Sequence, residues 1–275
     1  MIVLGGSSRQ SLAALRVALD NTLKGVSAGD ASAISSGLFK ALVAIDSSPG
    51  LRRALTDSAR DASSKSDLVS DLFKKSLTGP VLALLANATS LRWSSPSGIA
   101  DAIEQIAVEA EATAANLGNS LDQVQSEIFT FSKLLIENPD LRTALSERAQ
   151  SPESKQALLK SIFGSKFSAS TNSLLSHSVE SRRARSIEKT IAAYSHAVTA
   201  RRNRVNAHIK SSIALSDVQA KKLADSLTKQ IGQPVHLNIE IDPSILGGIS
   251  IRFGDEVIDG TISNRLAEAS RALVS

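Results

Sequence analysis

The chain has 275 residues, a length that suits two or three domains, and 42% of them are apolar, as in a packed globular protein. Only 3% are aromatic, so the cores must be built from alanine, leucine, isoleucine and valine, a composition that favours helices. The absence of cysteine excludes disulfides and thiolate metal sites. The formal charge of +4 is small for this length and favours an ordinary solvated surface. No apolar run reaches the roughly 20 residues that span a bilayer, so membrane association is expected only through partners.

Proline positions mark the starts of the predicted helices. Proline is tolerated in the first turn of a helix and is costly further inside. Each of the relevant prolines precedes a helical apolar pattern, and most follow a residue that caps helices well. We therefore predict a series of helices from Ser7 to about Arg204, joined by short loops. The pairs that mark helix starts are Ser48-Pro49, Gly79-Pro80, Ser95-Pro96, Asn138-Pro139 and Ser151-Pro152.

An internal similarity recurs at a constant offset of 90 residues, which carries Pro49–Leu55 onto Pro139–Leu145. The same offset carries Ser64-Lys65 onto Ser154-Lys155. Helical proteins share leucine and alanine by chance, but an ungapped register that also includes proline, phenylalanine and Ser-Lys favours duplication. We therefore predict two related helical bundles, residues 1–95 and 96–204, which share a helix near 96–116. Further matching pairs are Phe39 with Phe129, Phe73 with Phe163, Leu84-Leu85 with Leu174-Leu175, and Arg92 with Arg182.

The pattern changes from about residue 205, where alternating apolar residues predict a strand. Ser216 and Gln219 form a capping box that opens a helix. Two further alternating segments, at 235–241 and 249–253, predict strands, and a short return and a last helix follow. The fold class is therefore mainly α, with two related helical bundles followed by a small α/β module over residues 205–275.

Residues typical of turns and caps separate the predicted strands of this module. The adjacent glycines Gly247 and Gly248 suit a sharp reversal at positive φ. Asp242, Asp255 and Asp259 are of a residue type that can bind metal, but turn and cap carboxylates are far commoner, so we expect no metal and no cofactor. The residues expected to form structural turns are Asp242, Pro243, Gly247, Gly248, Gly254, Asp259 and Gly260.

A family resemblance is strongest in the same module. The runs Asp242–Ile249 and Gly254–Thr261, closed by Arg265-Leu266, resemble the delta subunit family of rotary ATP synthases, which includes the mitochondrial oligomycin-sensitivity-conferring protein. The helical part from about Ile99 to Arg204 also resembles this family. Residues 1–95 are additional to the family's usual form, and an extra bundle of the same kind explains them. The opening Gly6–Leu12 resembles long actinobacterial members.

The resemblance implies a non-catalytic stator subunit in the peripheral stalk of a proton-driven ATP synthase. It implies that the helical bundle receives N-terminal segments of the alpha subunits and that the C-terminal module contacts subunit b. The expected location is the cytoplasmic face of the cell membrane, where the subunit is peripheral and held through its partners.

Both implied contacts have candidate residues, although core packing is the better explanation for most of the bundle residues. An apolar slot between two bundle helices is a common way to receive an amphipathic helix. The slot candidates are Ile99, Ile103 and Ile106 on one helix and Leu174, Leu175 and Val179 on another. The candidates for the contact with subunit b are Ile245, Leu246 and Leu266.

Two other functional classes find little support in the sequence. No phosphate-binding loop is present, and the four histidines lack the spacing of metal sites, so no catalytic residue is predicted. Two arginine clusters are a possible nucleic-acid contact, but Tyr194 is the only aromatic residue near them, and no nucleic-acid partner is expected. The clusters are Arg182, Arg183 and Arg185, and Arg201, Arg202 and Arg204.

Overall fold

The computed structural model describes residues 5–147, 149–180, 186–202, 205–231, 235–242, 245, 247–253 and 256–259. They fall into two compact units, Met1–Arg201 and Arg202–Ser275. The fold class is confirmed as mainly α with a small α/β part. The helices of the first unit are α1 (Gly6–Thr22), α2 (Ala28–Ser47), α3 (Pro49–Thr56), α4 (Ala62–Phe73), α5 (Gly79–Ser90), α6 (Pro96–Leu117), α7 (Leu121–Glu137), α8 (Pro139–Ser146), α9 (Pro152–Phe163), α10 (Ala169–Glu180) and α11 (Ile187–Arg202).

Four of the five predicted helix starts coincide with the observed ones, and α5 begins one residue earlier than predicted, at Gly79. Helices α3, α6, α8 and α9 each begin at their proline, where no backbone N–H is lost from the hydrogen-bond ladder. Ser48 and Ser151 cap α3 and α9, because their hydroxyl oxygens accept from the backbone N–H groups of Leu51 and Ser154, each at 3.2 Å.

Helix α6 lies at the centre of the first unit. Fifteen of its 22 residues are buried, and they occupy every face of the helix. A helix that is buried all round must be surrounded by other elements. Here one continuous apolar core runs from α1 to α11 through α6, so the two predicted bundles share this helix and its core.

The helix boundaries repeat at the offset found in the sequence. Adding 90 to the residue numbers of α3, α4 and α5 gives the bounds of α8, α9 and α10. Burial repeats as well, since Phe73 and Phe163 are both core residues, and Lys65 and Lys155 are both buried. These agreements support the predicted duplication, which remains a prediction about the origin of the two halves.

The second unit contains a four-stranded sheet with the strand order β2-β1-β3-β4. Strands β1 and β2 are parallel and are connected through a helix, whereas the pairs β1/β3 and β3/β4 are antiparallel. Ile209, Leu227 and Ile251 form its small core. The elements of this unit are β1 (Val205–Ser211), α12 (Asp217–Ile231), β2 (Val235–Ile241), β3 (Ile249–Phe253) and β4 (Glu256–Asp259).

The capping box and the glycine reversal predicted in the second unit are both present in the structure. Ser216 N donates to Gln219 Oε1 at 2.9 Å and Gln219 N donates to Ser216 Oγ at 3.4 Å, which forms the capping box of α12. The reversal before β3 has positive φ at Gly247 and Gly248, 147° and 89°. The value at Gly248 lies where a side chain is strained, so glycine suits this position.

Helix α2 is long and apolar enough to cross a membrane, judged by length and composition alone. The core helix of a globular unit passes the same test. In this structure α2 packs along α6, where the Ser35 hydroxyl donates to the carbonyl oxygen of Ala107 at 2.9 Å. The apolar composition of α2 is therefore explained by its place in the core.

The crossing of α2 and α5 depends on a glycine. A Cβ atom added at Gly37 would lie 2.8 Å from Val81 Cγ2, closer than real Cβ contacts. Valine has few rotamers with which to withdraw from such a contact. Glycine therefore allows the two helices to pack closely at this position.

We predict that Gly37→Leu destabilises the protein by about 2 kcal/mol, because overpacking outweighs the better helix propensity of leucine. The measurement is the free energy of unfolding by chemical denaturation. Gly29→Leu is the matched control, since Gly29 is exposed in the first turn of the same helix. Equal stability of the two variants would contradict the close packing at Gly37.

Candidate partner-binding surfaces

All six predicted slot residues are buried in the first unit. Three lie on α6 and three on α10, as the sequence placed them. Their exposed fractions run from 0% to 7%, so they are part of the core of this chain. Their burial fits the alternative explanation, which is that they form part of the core. The six are Ile99, Ile103, Ile106, Leu174, Leu175 and Val179.

Helix α2 of the same chain covers the slot between α6 and α10. Ser32 Oγ donates to Glu111 Oε2 at 3.0 Å and Ser35 contacts Ala107, so α2 runs antiparallel along α6. Further along α2, the Phe39 ring stacks on the His177 ring of α10, with 4.1 Å between the ring centroids. A helix from the first half of the chain therefore occupies the place that a partner helix would take.

The candidates for contact with subunit b are only partly described. Ile245 is half-buried at the reversal between β2 and β3. Leu246 and Leu266 lie outside the described residues. Among the turn residues, Asp242 accepts a hydrogen bond from Lys210 Nζ at 3.1 Å, and Asp259 ends β4. Pro243, Gly254 and Gly260 also lie outside the described residues.

Three buried carboxylates on α6 contact three different helices. Glu109 accepts from Arg16 of α1, with both Nε and Nη2 at 2.7 Å from Oε1. Glu111 accepts from Ser32 of α2, and Glu104 lies 3.4 Å from the Tyr194 hydroxyl of α11. Each carboxylate is 1% exposed, so each needs such partners to offset its lost hydration.

Arg201 takes part in this polar network and is not a free surface cation. Its guanidinium pairs with Asp20 of α1, and its Nε donates to Thr113 Oγ1 of α6 at 2.8 Å. The arginine cluster near residue 201 thus includes a member committed to an internal contact. Arg182, Arg183, Arg185 and Arg204 lie outside the described residues.

Hydrogen bonds lower the pKa of two carboxyl groups in the second half. Burial raises the pKa of Glu127, but hydrogen bonds from Thr171, Ser168 and Gln123 outweigh it and hold the pKa below its usual value. The pKa of Glu180 is also lowered, chiefly by its hydrogen bond with His177. Both carboxylates are therefore ionised at neutral pH. Within the described part of the chain, no three His, Asp or Glu residues form a group suited to a metal ion.

Sequence reasoning missed an exposed apolar surface on α7. Phe129 and Ile136 are 61% and 71% exposed, whereas Phe39, the residue matched to Phe129 by the 90-residue offset, is 1% exposed. The signal available in the sequence was a second phenylalanine on a helix whose other apolar residues already complete a buried face.

Comparison with known proteins identifies the family. The family model "ATP synthase delta (OSCP) subunit" matches residues 108–273. The chain belongs to the ATP synthase delta (OSCP) family. Members of this family are structural, non-catalytic components of the peripheral stalk of a membrane-associated complex.

Individual delta-family relatives match almost the whole chain. "ATP synthase subunit delta" of Streptomyces coelicolor is 37% identical over 270 residues, which cover 98% of each chain. The protein of the same name in Thermobifida fusca is 35% identical over 268 residues, again 98% of each chain. These matches include the first half, which precedes the region of the delta-family model. A chain in a cryo-EM structure of the Toxoplasma gondii mitochondrial ATP synthase hexamer is 18% identical, with a TM-score of 0.26. The match covers 61% of this chain and 97% of that one.

The delta-family helical unit should be sensitive to loss of a charge partner for α6. We predict that Arg16→Met costs about 3 kcal/mol of unfolding free energy, because it removes the guanidinium facing the buried Glu109 carboxylate. Arg60→Met is the control, since the Arg60–Asp57 pair is exposed and is expected to contribute about 0–1 kcal/mol. Adding Glu109→Gln to Arg16→Met should recover part of the loss. Equal losses of unfolding free energy for both arginine substitutions would show that the Arg16–Glu109 pair contributes no more than an exposed pair.

The lowered pKa of Glu127 predicts a pH-dependent contribution to stability. Its ionised form is favoured by folding, so this stability is present above the unfolded pKa, about 4.3, and is lost as the pH falls through the folded pKa. Wild type should therefore exceed Glu127→Gln in stability at pH 7, and the gap should shrink below about pH 4.

Denaturation curves from pH 3 to pH 7 provide the measurement for Glu127. Glu137→Gln, an exposed change at the end of the same helix, is expected to remain within about 0.5 kcal/mol of wild type at pH 7. A gap between wild type and Glu127→Gln that widens on acidification would contradict the sign of the effect.

Proposed function

We propose that this chain links the catalytic head of a proton-driven ATP synthase to subunit b and holds the head against rotation. Its membership in the delta (OSCP) family over nearly the whole length carries this proposal. A rotary synthase needs such a link, because a head free to turn with the central stalk would convert torque into idle rotation.

The helical unit has internal connections that suit a connector under torque. The buried helix α6 lies in the core of both halves, and its carboxylates connect it to α1, α2 and α11. Arg201 of α11 pairs with Asp20 of α1, residues that are 181 positions apart in the sequence. Close-packed protein interiors resist deformation, so a force applied to one half of this continuous core would be transmitted to the other.

The proposed partners are the N-terminal segments of the alpha subunits and the end of subunit b. The alpha segments would bind the helical unit and subunit b would bind the C-terminal unit. Because α2 covers the slot between α6 and α10, an alpha segment would require either displacement of α2 or another surface of the helical unit. Individual contacts through Ile245, Leu246 and Leu266 remain part of this proposal.

The proposed location is the cytoplasmic face of the cell membrane. The chain would be peripheral there and held through its partners in the synthase. The packing of α2 into the core supports this arrangement, because it leaves the most apolar long helix committed to α6.

We predict that removal of residues 205–275 uncouples the synthase. The helical unit should stay folded, because its core lies entirely upstream of residue 205. ATP hydrolysis should continue on the catalytic subunits, whereas ATP-driven proton pumping and ATP synthesis should fall. The measurement is hydrolysis and pumping side by side in membrane vesicles.

Addition of the full-length chain to vesicles depleted of the native subunit is the control, and it should restore pumping. Unchanged hydrolysis and pumping after truncation would overturn the proposed stator role. Loss of both activities together would show that the subunit maintains the head itself, and a purely mechanical role would be too narrow.

A further inference from the structure

Side chains in the last turn of α11 are bonded to three other helices. Thr199 Oγ1 accepts a hydrogen bond from Gln125 Nε2 of α7 at 2.8 Å. Arg201 Nε donates to Thr113 Oγ1 of α6 at 2.8 Å, and the Arg201 guanidinium pairs with Asp20 of α1. We call Thr199 and Arg201 the α11 anchor. Through this anchor, one helical turn is connected to helices of both halves of the unit.

The α11 anchor lies where the chain leaves the helical unit. The first compact unit ends at Arg201 and the second begins at Arg202. Helix α11 ends at Arg202 as well, and strand β1 begins at Val205. A force that travels along the chain from the C-terminal unit therefore reaches the last turn of α11 before any other part of the helical unit.

A helix end without side-chain contacts is a weak point of attachment. Its last four carbonyl groups have no partner within the helix, and terminal turns open at little cost in free energy. A pull on such an end would separate it from its neighbours one residue at a time. In α11 the same movement must also break the bond of Thr199 to α7 and the charge-assisted bonds of Arg201 to α1 and α6.

The surroundings of Arg201 favour strong bonds. The side chains of Arg201 and Asp20 are only 13% and 20% exposed, so water screens their attraction less than it screens a surface pair. The Thr113 hydroxyl donates to the carbonyl oxygen of Glu109 at 2.8 Å, which commits its hydrogen and leaves its oxygen to accept from Arg201.

An ion pair near the opposite end of α11 provides a contrast. Glu188, in the first turn, faces Arg142 of α8 at 3.6 Å, and the two side chains are 38% and 45% exposed. Exposed pairs of this kind contribute little to stability. The closer and less exposed ion pair thus lies at the end of α11 that leads to the C-terminal unit.

We propose that the α11 anchor is the point at which load from the C-terminal unit enters the helical unit, and that Thr199 and Arg201 are positioning residues for coupling. The proposal rests on the proposed function, since it takes the chain to hold the catalytic head against rotation. Load passes from Arg201 to α1 and α6 and from Thr199 to α7. It is thereby shared among helices of both halves.

The first test measures hydrogen exchange of backbone amides in the free full-length chain. Arg201→Met should speed exchange at residues 199–201 at least about tenfold, because the loss of a hydrogen bond to a charged group changes an opening equilibrium by about that factor. Amides at 191–194, earlier in α11, should exchange as in wild type. Arg142→Met is the control on the same helix, and it should leave the last turn unchanged.

Thr199→Val provides a second variant in case Arg201→Met folds poorly. It keeps the shape of the side chain and removes the hydroxyl that accepts from Gln125. It should also speed exchange at 199–201, to a smaller extent, because a neutral hydrogen bond is weaker than a charge-assisted one.

The second test measures coupling under load in vesicles whose native subunit has been replaced by each variant. ATP hydrolysis and proton pumping are followed together against opposing proton gradients of increasing size. Without an opposing gradient, Arg201→Met should pump as wild type does. As the gradient grows, its ratio of protons pumped to ATP hydrolysed should fall at a smaller gradient than in wild type. Arg16→Met controls for stability, since it removes a different buried ion pair of α6, and its coupling should follow wild type.

The outcomes separate this inference from the proposed function. Failure of the wild-type chain to restore pumping would count against the proposed function itself. Unchanged exchange at 199–201 in both Arg201→Met and Thr199→Val would show that the anchor does not hold the last turn, and the inference would be wrong. Faster exchange with wild-type coupling at every gradient would overturn it, because load would then enter elsewhere. Equal loss of coupling in Arg201→Met and Arg16→Met would contradict it as well, since stability alone would explain the effect.

Discussion

The helical unit depends on the burial of α6 with its three carboxylates. A carboxylate removed from water is costly unless donors replace the lost hydration. Glu109, Glu111 and Glu104 receive such contacts from α1, α2 and α11, so the partners of one helix fix the positions of three others. Alanine dominates the rest of α6 and lets those helices approach closely. The same helix thus supplies packing to both halves and determines which helices surround it.

Much of the architecture could be predicted from the sequence because it is encoded locally. A proline restricts φ and lacks an N–H, so the starts at Pro49 and Pro139 follow from the chain itself. The capping box at Ser216 is equally local. The periodicity of a helix reveals its apolar face but not the element that packs on that face, because this depends on the tertiary structure. Ile103 and Leu175 have the spacing expected of residues that line a slot. They are buried because α2, more than fifty residues earlier in the chain, packs over them.

Equivalent positions in the two halves solve the same packing problem differently. At the crossing of α2 and α5, Gly37 leaves room for Val81. At the matching crossing of α7 and α10, the 90-residue offset places Glu127, whose carboxylate accepts from the backbone N–H and the hydroxyl of Ser168 at the start of α10. A carboxylate at a helix N-terminus also interacts favourably with the helix dipole. The halves therefore share helix boundaries while differing in the chemistry that joins the helices.

We propose that α6 makes residues 1–201 one cooperative body able to transmit force between its halves. The single tryptophan, Trp93, reports the first half, and the single tyrosine, Tyr194, reports α11 of the second. Equilibrium denaturation followed by Trp93 fluorescence and by fluorine NMR of fluorotyrosine at position 194 tests the claim directly. Coincident transitions at both probes are predicted, since neither half keeps its core without α6. Separate transitions, with one half unfolded while the other remains native, would contradict the account.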